Sequence, residues 1–195
     1  MARANYFFKQ ALVMDPKRPL VQHELARISF LRSDFPLALA TIDKEISMHG
    51  EENPSAYYVR GLILGYMGKY LEAAEAYETY FKKTPANWAG INDYSWVLLK
   101  ADLPEAAHNA LSWGLTQWPD NPWLLQNDAT ALYELGRFKE AAQAAAKAKV
   151  GVEKLTTEDW LIAYPGNDPA IAPQGLAQFK KATEENLEKI ITKVN

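Results

Sequence analysis

The chain has 195 residues, 48% of them hydrophobic, a formal net charge of -3 and no cysteine. Such a chain can bury a sizeable core, which excludes disorder, and it offers no disulfide, thiolate metal site or cysteine nucleophile. Its Lys and Arg are scattered instead of forming a basic stripe, which removes the electrostatic term that nucleic-acid binding depends on.

The first predicted element covers residues 1–18. Ala4, Phe8 and Pro16 recur 34 residues later as Ala38, Ile42 and Gly50, which marks a helix that pairs with a preceding one. That preceding helix is missing, so the chain is expected to be cut from a longer protein, with Met1 added. The stretch MARANYFFKQ lacks the charged, apolar and cleavage regions of a secretory leader in their order. No apolar run reaches the roughly 20 residues of a membrane span. The expectation is a chain in water that does not itself insert into a membrane. The cytoplasm is the default compartment, and an extracytoplasmic domain of a longer protein is the alternative.

Residues 19–53 form the first whole unit. Ala26, Ser33, Phe35, Ala38 and Ile42 precede Gly61, Gly68, Tyr70, Ala73 and Tyr77 by 35 residues, so one residue is inserted near Asn53. Units 54–87, 88–121 and 122–155 then keep a step of 34. The small residues Gly61, Ser95 and Ala129 recur in phase, as do Leu64, Leu98 and Leu132, and the turn formers Gly68, Asp102 and Gly136. Ala73, Ala107 and Ala141 follow, then Tyr77, Leu111 and Ala145, then Pro85 and Pro119. Two helices joined by a turn explain each step: small residues sit where paired helices approach, and large apolar ones fill the space beside them. Tyr77, Trp113 and Phe138 are expected among this packing.

Residues 156–195 depart from the pattern. Ala163 stays in phase with Ala129, and Gly175 and Phe179 with Ala141 and Ala145, but PGNDPAIAPQ places three prolines where a first helix would continue. The Asn167-Asp168 pair inside it reads as turn chemistry. A long amphipathic helix follows, with Leu176, Phe179, Leu187, Ile190, Ile191 and Val194 on one side. It is expected to cap a degenerate fifth unit, because repeat arrays need polar ends. The second reading is that its stripe pairs with another helix or another copy of the chain.

The segment YYVRGLILGYMGKYLEAAEAYETYFKKTP, Tyr57 to Pro85, resembles a tetratricopeptide repeat: an aromatic, a Gly four residues on, a Gly-Lys-Tyr turn, Ala-x3-Tyr and a closing Pro. LLQNDATALYELGRFKEAAQAAAKA is similar, and INDYSWVLLKADLPEAAHNALSWGLTQWP substitutes Ser95 for Gly and Asp-Leu-Pro for the turn. The resemblance implies an all-α, right-handed α-solenoid of about ten helices: a repeat array over 1–155 and a capping segment over 156–195. It also implies that the first helices line a concave face, on which inward residues form columns. These are His23, Tyr58, Asn92 and Gln126; Arg27, Leu62, Trp96 and Thr130; and Leu31, Tyr66, Lys100 and Glu134, with Phe30, Trp123 and Tyr133 nearby. Tyr, Trp, Asn and Gln suit a face that holds a polypeptide. The carboxylate clamp of chaperone-binding relatives has no match, since Glu24, Val59 and Asp93 fall near its positions.

No catalytic set is expected. His23, His49 and His108 stand at unrelated repeat positions without a second ligand at helical spacing, so each reads as an ordinary surface or groove residue, and no metal or other cofactor is implied. ATEENLEK reads as a solvated helix face. The functional expectation is a non-catalytic module that binds a protein or peptide in the concave groove. The alternative is a scaffold or oligomerisation segment of a larger, envelope-anchored protein.

Overall fold

The structure is a computed structural model that describes residues 2–164 and 168–193. Met1, the turn position Asn167 and the stripe position Val194 lie outside the described residues. Among the described residues there are eleven helices and no strand, an all-α architecture of repeated helix pairs. They group into two compact units, Met1–Ala86 and Asn87–Asn195.

The first unit holds α1 (Ala2–Met14), α2 (Val21–Leu31), α3 (Phe35–His49), α4 (Ser55–Tyr66) and α5 (Tyr70–Lys83). Here α2 packs on α3, α3 on α4 and α4 on α5. Ala38 and Ile42 of α3 and Ala73 and Tyr77 of α5 are at most 1% exposed. Gly61 shows why the position must be small: a Cβ there would stand 2.9 Å from the Tyr77 ring. On α1, by contrast, Ala4 is exposed although it shares its register with Ala38, and Tyr6, Phe7, Val13 and Met14 are also exposed.

The buried Glu45 of α3 ties this unit together. Its Oε1 accepts from the Leu20 N–H at 2.9 Å and from Asn53 Nδ2 at 3.0 Å, while Asn53 Oδ1 accepts from Ser55 Oγ at 2.5 Å. Leu20 precedes α2 with φ 67, a left-handed conformation that costs a branched side chain free energy and is held here by that bond.

The second unit holds α6 (Trp88–Lys100), α7 (Pro104–Gln117), α8 (Pro122–Glu134), α9 (Phe138–Lys154), α10 (Thr157–Ala163) and α11 (Ala172–Thr192). Ser95, Ala107, Leu111, Ala129, Ala141 and Ala145 are fully buried between its helices. Two expected core aromatics are not in the core: Trp113 is 50% and Phe138 43% exposed. Trp113 lies two positions beyond the in-phase Leu111, which turns it to the opposite side of α7, and Phe138 begins α9 outside the crossing. Their rings instead meet Trp118 and Tyr133 edge-on at the surface.

The long helix packs within its own chain. Leu187 and Ile190 join Leu125, Leu132, Ala144 and Ala148, while Leu176 meets Trp160 of α10. Lys149 of α9 reaches Glu188 at 2.7 Å and Glu184 at 3.4 Å, and Lys180 Nζ donates to the Glu153 carbonyl at 2.8 Å. Most outward residues of α11 are polar, and the stripe residues Leu187 and Ile190 are covered by α8 and α9. Pro173 sits in the first turn of α11, where its missing N–H costs nothing. The short α10 is started by a reciprocal cap between Thr156 and Asp159.

Each whole unit turns the same way between its helices. Ser33, Gly68, Asp102 and Gly136 have φ of 60, 76, 60 and 73. The next N–H returns to the carbonyl five residues back: Asp34 to Ser29, Lys69 to Leu64, Leu103 to Leu98 and Arg137 to Leu132, at 2.9–3.0 Å. This closure needs a left-handed residue, a conformation that glycine adopts freely and serine only at a cost in free energy. Ser33→Gly is therefore expected to raise stability by about 1 kcal/mol, read as a shifted denaturant midpoint at unchanged slope. Deleting residues 176–195 is expected to bare Leu125, Leu132 and Ala148 and to drive aggregation, followed by light scattering. A monomeric truncation of equal stability would show that α11 is not a cap.

Candidate functional site

In the first unit the expected face belongs to α2 and α4. Its open part is Arg27, Leu31 and Tyr66, all exposed, with Phe30 and Phe35 half-buried beside them. The Tyr66 ring stands edge-on to Phe30 at 5.1 Å and 6.0 Å from Phe35. Arg27 Nη1 lies 3.2 Å from Glu24, an ion pair of little consequence in solvent. Tyr58 and Leu62 are half-buried, and Tyr58 meets Tyr77 and Tyr80 at 5.7 and 5.6 Å. His23 departs from its expected place as a lining residue. It is buried, with Nδ1 3.2 Å from Glu24 and Nε2 shielded from solvent without a protein partner. One helical turn inward of Arg27, it faces the packing and not the surface.

In the second unit the face belongs to α6 and α8. Lys100 is exposed, while Trp96, Gln126, Thr130 and Tyr133 are half-buried. Asn92 is held by its own chain: its Nδ2 donates to Asp93, and its Oδ1 and main-chain carbonyl both accept from Asn127 Nδ2 at 3.2 Å. Thr130 Oγ1 donates to the Gln126 carbonyl, and Gln126 Oε1 is buried without a protein partner. Lys193 Nζ lies 5.0 Å from the centre of the Tyr133 ring. Burial, with Asp102 adding to it and Lys100 opposing, pushes the Glu134 carboxyl above its ordinary range.

Trp123 also departs from its expected place on the face. Only 7% exposed, it stacks on Trp88 at 5.0 Å and on Phe179 of α11 at 6.2 Å. Phe179, the residue of α11 that covers it, lies 56 residues further along the sequence, which spacing within the repeats does not reveal.

Of the three histidines, His49 stays partly exposed as an ordinary surface residue would, while His23 and His108 are largely buried. His49 Nε2 lies 2.8 Å from the Lys17 carbonyl. His108 of α7 pairs with Asp128 of α8, Nδ1 to Oδ1 at 2.6 Å, with both side chains largely buried. A search for partners along one helix misses this pair because it bridges two. Burial pushes the Asp128 carboxyl up, and the His108 hydrogen bond pulls it down less strongly. Among the described residues no three His, Asp or Glu side chains converge as metal ligands would.

No family model matches the chain, and no curated protein matches it at a significant level. Solved structures do. YrrB, a TPR protein with an unusual peptide-binding site, is 19% identical with a TM-score of 0.64 over 94% of this chain and 88% of that one. PilW, a widely conserved type IV pilus biogenesis factor, is 19% identical with a TM-score of 0.67 over 96% and 87%. The pilF product of Pseudomonas aeruginosa is 16% identical with a TM-score of 0.65 over 96% and 81%. The fold is the tetratricopeptide-repeat fold. In tetratricopeptide terms, α2, α4, α6 and α8 are the first helices of their repeats and α3, α5, α7 and α9 the second. Among the described residues no helix is long and apolar enough to cross a membrane.

The raised Asp128 value has a defined sign. A carboxyl that holds its proton more tightly when folded favours folding below its unfolded value, and that contribution is lost as pH rises through the folded value. Asp128→Asn removes this component while keeping an acceptor for His108. Its denaturant midpoint relative to the parent is therefore expected to rise as pH climbs from the ordinary carboxylate range toward neutrality, checked by paired urea titrations.

Proposed function

We propose that this chain is a non-catalytic protein-interaction module that takes an extended segment or helix of a partner polypeptide on the first-helix faces of its repeats. The observation that carries the proposal is a division of labour within each helix pair. The crossing residues Ala38, Ala73, Ala107 and Ala141 are fully buried, while Arg27, Tyr66, Trp96, Lys100 and Thr130 on the first helices keep surface. Aromatic and long polar side chains on a rigid helical face are the means by which polypeptides are anchored. The peptide-binding site ascribed to YrrB supports a polypeptide ligand. Its structural likeness to PilW, a pilus biogenesis factor, is compatible with a role in assembly.

A second reading, a scaffold segment of a larger envelope-anchored protein, is favoured by α1. Tyr6, Phe7, Val13 and Met14 form an apolar face that a neighbouring helix would cover.

The two readings separate by mutation. Trp96→Ala is expected to weaken capture of a partner polypeptide by about 2 kcal/mol or more, and Lys100→Ala by less, in titrations at a temperature where circular dichroism shows each variant folded. Asn92 is a poor probe, because its side chain also holds Asn127. Unchanged affinity in both variants would take the α6 and α8 face out of the function and direct attention to α1.

A further inference from the structure

The interface of α7 and α8 holds three side chains in an order that repeat packing does not call for. Asp128 Oδ1 lies 2.6 Å from His108 Nδ1, and His108 Nε2 lies 3.5 Å from Ser112 Oγ. Asp128 and His108 are largely buried and Ser112 is exposed. An ionised carboxylate only accepts, so in the neutral imidazole it fixes the proton on Nδ1 and leaves the Nε2 lone pair toward the serine hydroxyl. His108 and Ser112 are four residues apart in the middle of α7, which puts them on one face.

The repeat supplies its own control. The position of His108 is filled by Leu39, Ala74 and Ala142 in the other units, that of Asp128 by Leu25, Arg60 and Tyr94, and that of Ser112 by Asp43, Glu78 and Ala146. Helix pairs of the same geometry therefore close without a buried ionisable pair, whose desolvation is costly. The proposed face on the first helices does not use it.

We propose that Ser112 is an acyl-accepting nucleophile, activated by His108 with Asp128 as its positioning residue, that reacts with activated esters or thioesters. Ser112 Oγ bonds to the acyl carbon while His108 Nε2 takes the hydroxyl proton. The carbon–oxygen or carbon–sulfur bond to the leaving group then breaks, and the imidazolium returns the proton to that alcohol or thiol. The products are acyl-Ser112 and the free leaving group, with no change of oxidation state. Ser112 lies inside α7, so its own N–H and those beside it are held in helical hydrogen bonds and are not aimed at a developing oxyanion. Hydrolysis of the acyl-serine is correspondingly slow, and the site behaves as a modification site instead of a turnover catalyst.

The probe is p-nitrophenyl acetate with the intact chain, followed by nitrophenolate release and by mass spectrometry of the peptide carrying Ser112. One equivalent is expected to be released in a burst, with one acetyl group on Ser112. Ser112→Ala should abolish both; this exposed substitution leaves the packing intact. His108→Ala should slow acylation by about 100-fold, as loss of a general base does. Asp128→Asn should also slow it while leaving the helical spectrum unchanged, because a neutral amide no longer stabilises the imidazolium that forms as His108 takes the proton. Ser112→Cys should restore rapid labelling that still depends on His108. The proposal is overturned if Ser112 stays unlabelled, or if it labels equally fast with and without His108. Neither result would bear on partner capture by α6 and α8.

Discussion

Close approach of paired helices at residues without bulk is the constraint on which everything else rests. Ala38, Ala73, Ala107 and Ala141 let two helix axes come near enough for Ile42, Tyr77 and Leu111 to fill the seam beside them. Gly61 takes this furthest, since the Tyr77 ring occupies the space a methyl group would need. With the inner side of each pair fixed in this way, residues of the first helices that keep surface, such as Arg27, Tyr66 and Lys100, are the ones least constrained by the crossing.

Those features that repeat locally were legible in the sequence. The period located the crossing alanines and the left-handed turns at Ser33, Gly68, Asp102 and Gly136, because each is dictated by contacts within one unit. Features that depend on distant chain were not. Trp123 looked like a lining residue until Phe179 of α11 covered it, and His108 looked solitary until α8 brought Asp128 against it. Trp113 and Phe138 show a different failure. Residue type alone points to the core for both, whereas helical phase places them outside it.

Polar burial marks where this chain departs from a bare repeat. Glu45, Asn127 and the His108–Asp128 pair each link segments that the hydrophobic pattern alone would leave independent: α3 to the chain before α2, α8 to α6, and α7 to α8. A buried polar side chain that finds its partners contributes modest stability but penalises every alternative alignment, because misalignment would strand it. Alanine-rich helices such as α9, which offer many nearly equivalent packings, benefit most from pins of this kind in their neighbours.

The bracket around Glu45 also accounts for the one irregular step in the period. The extra residue before α4 falls near Asn53, and Asn53 is turned inward, its N–H bonded to the His49 carbonyl and its amide to Glu45. The added length is stored as a hydrogen-bonded coil between helices, so neither α3 nor α4 shifts its apolar phase. Repeat length in this chain is therefore elastic at the joints and rigid in the rods. A duplicated unit can drift by a residue in evolution without losing its fit, provided the surplus lands where a carboxylate waits to receive it.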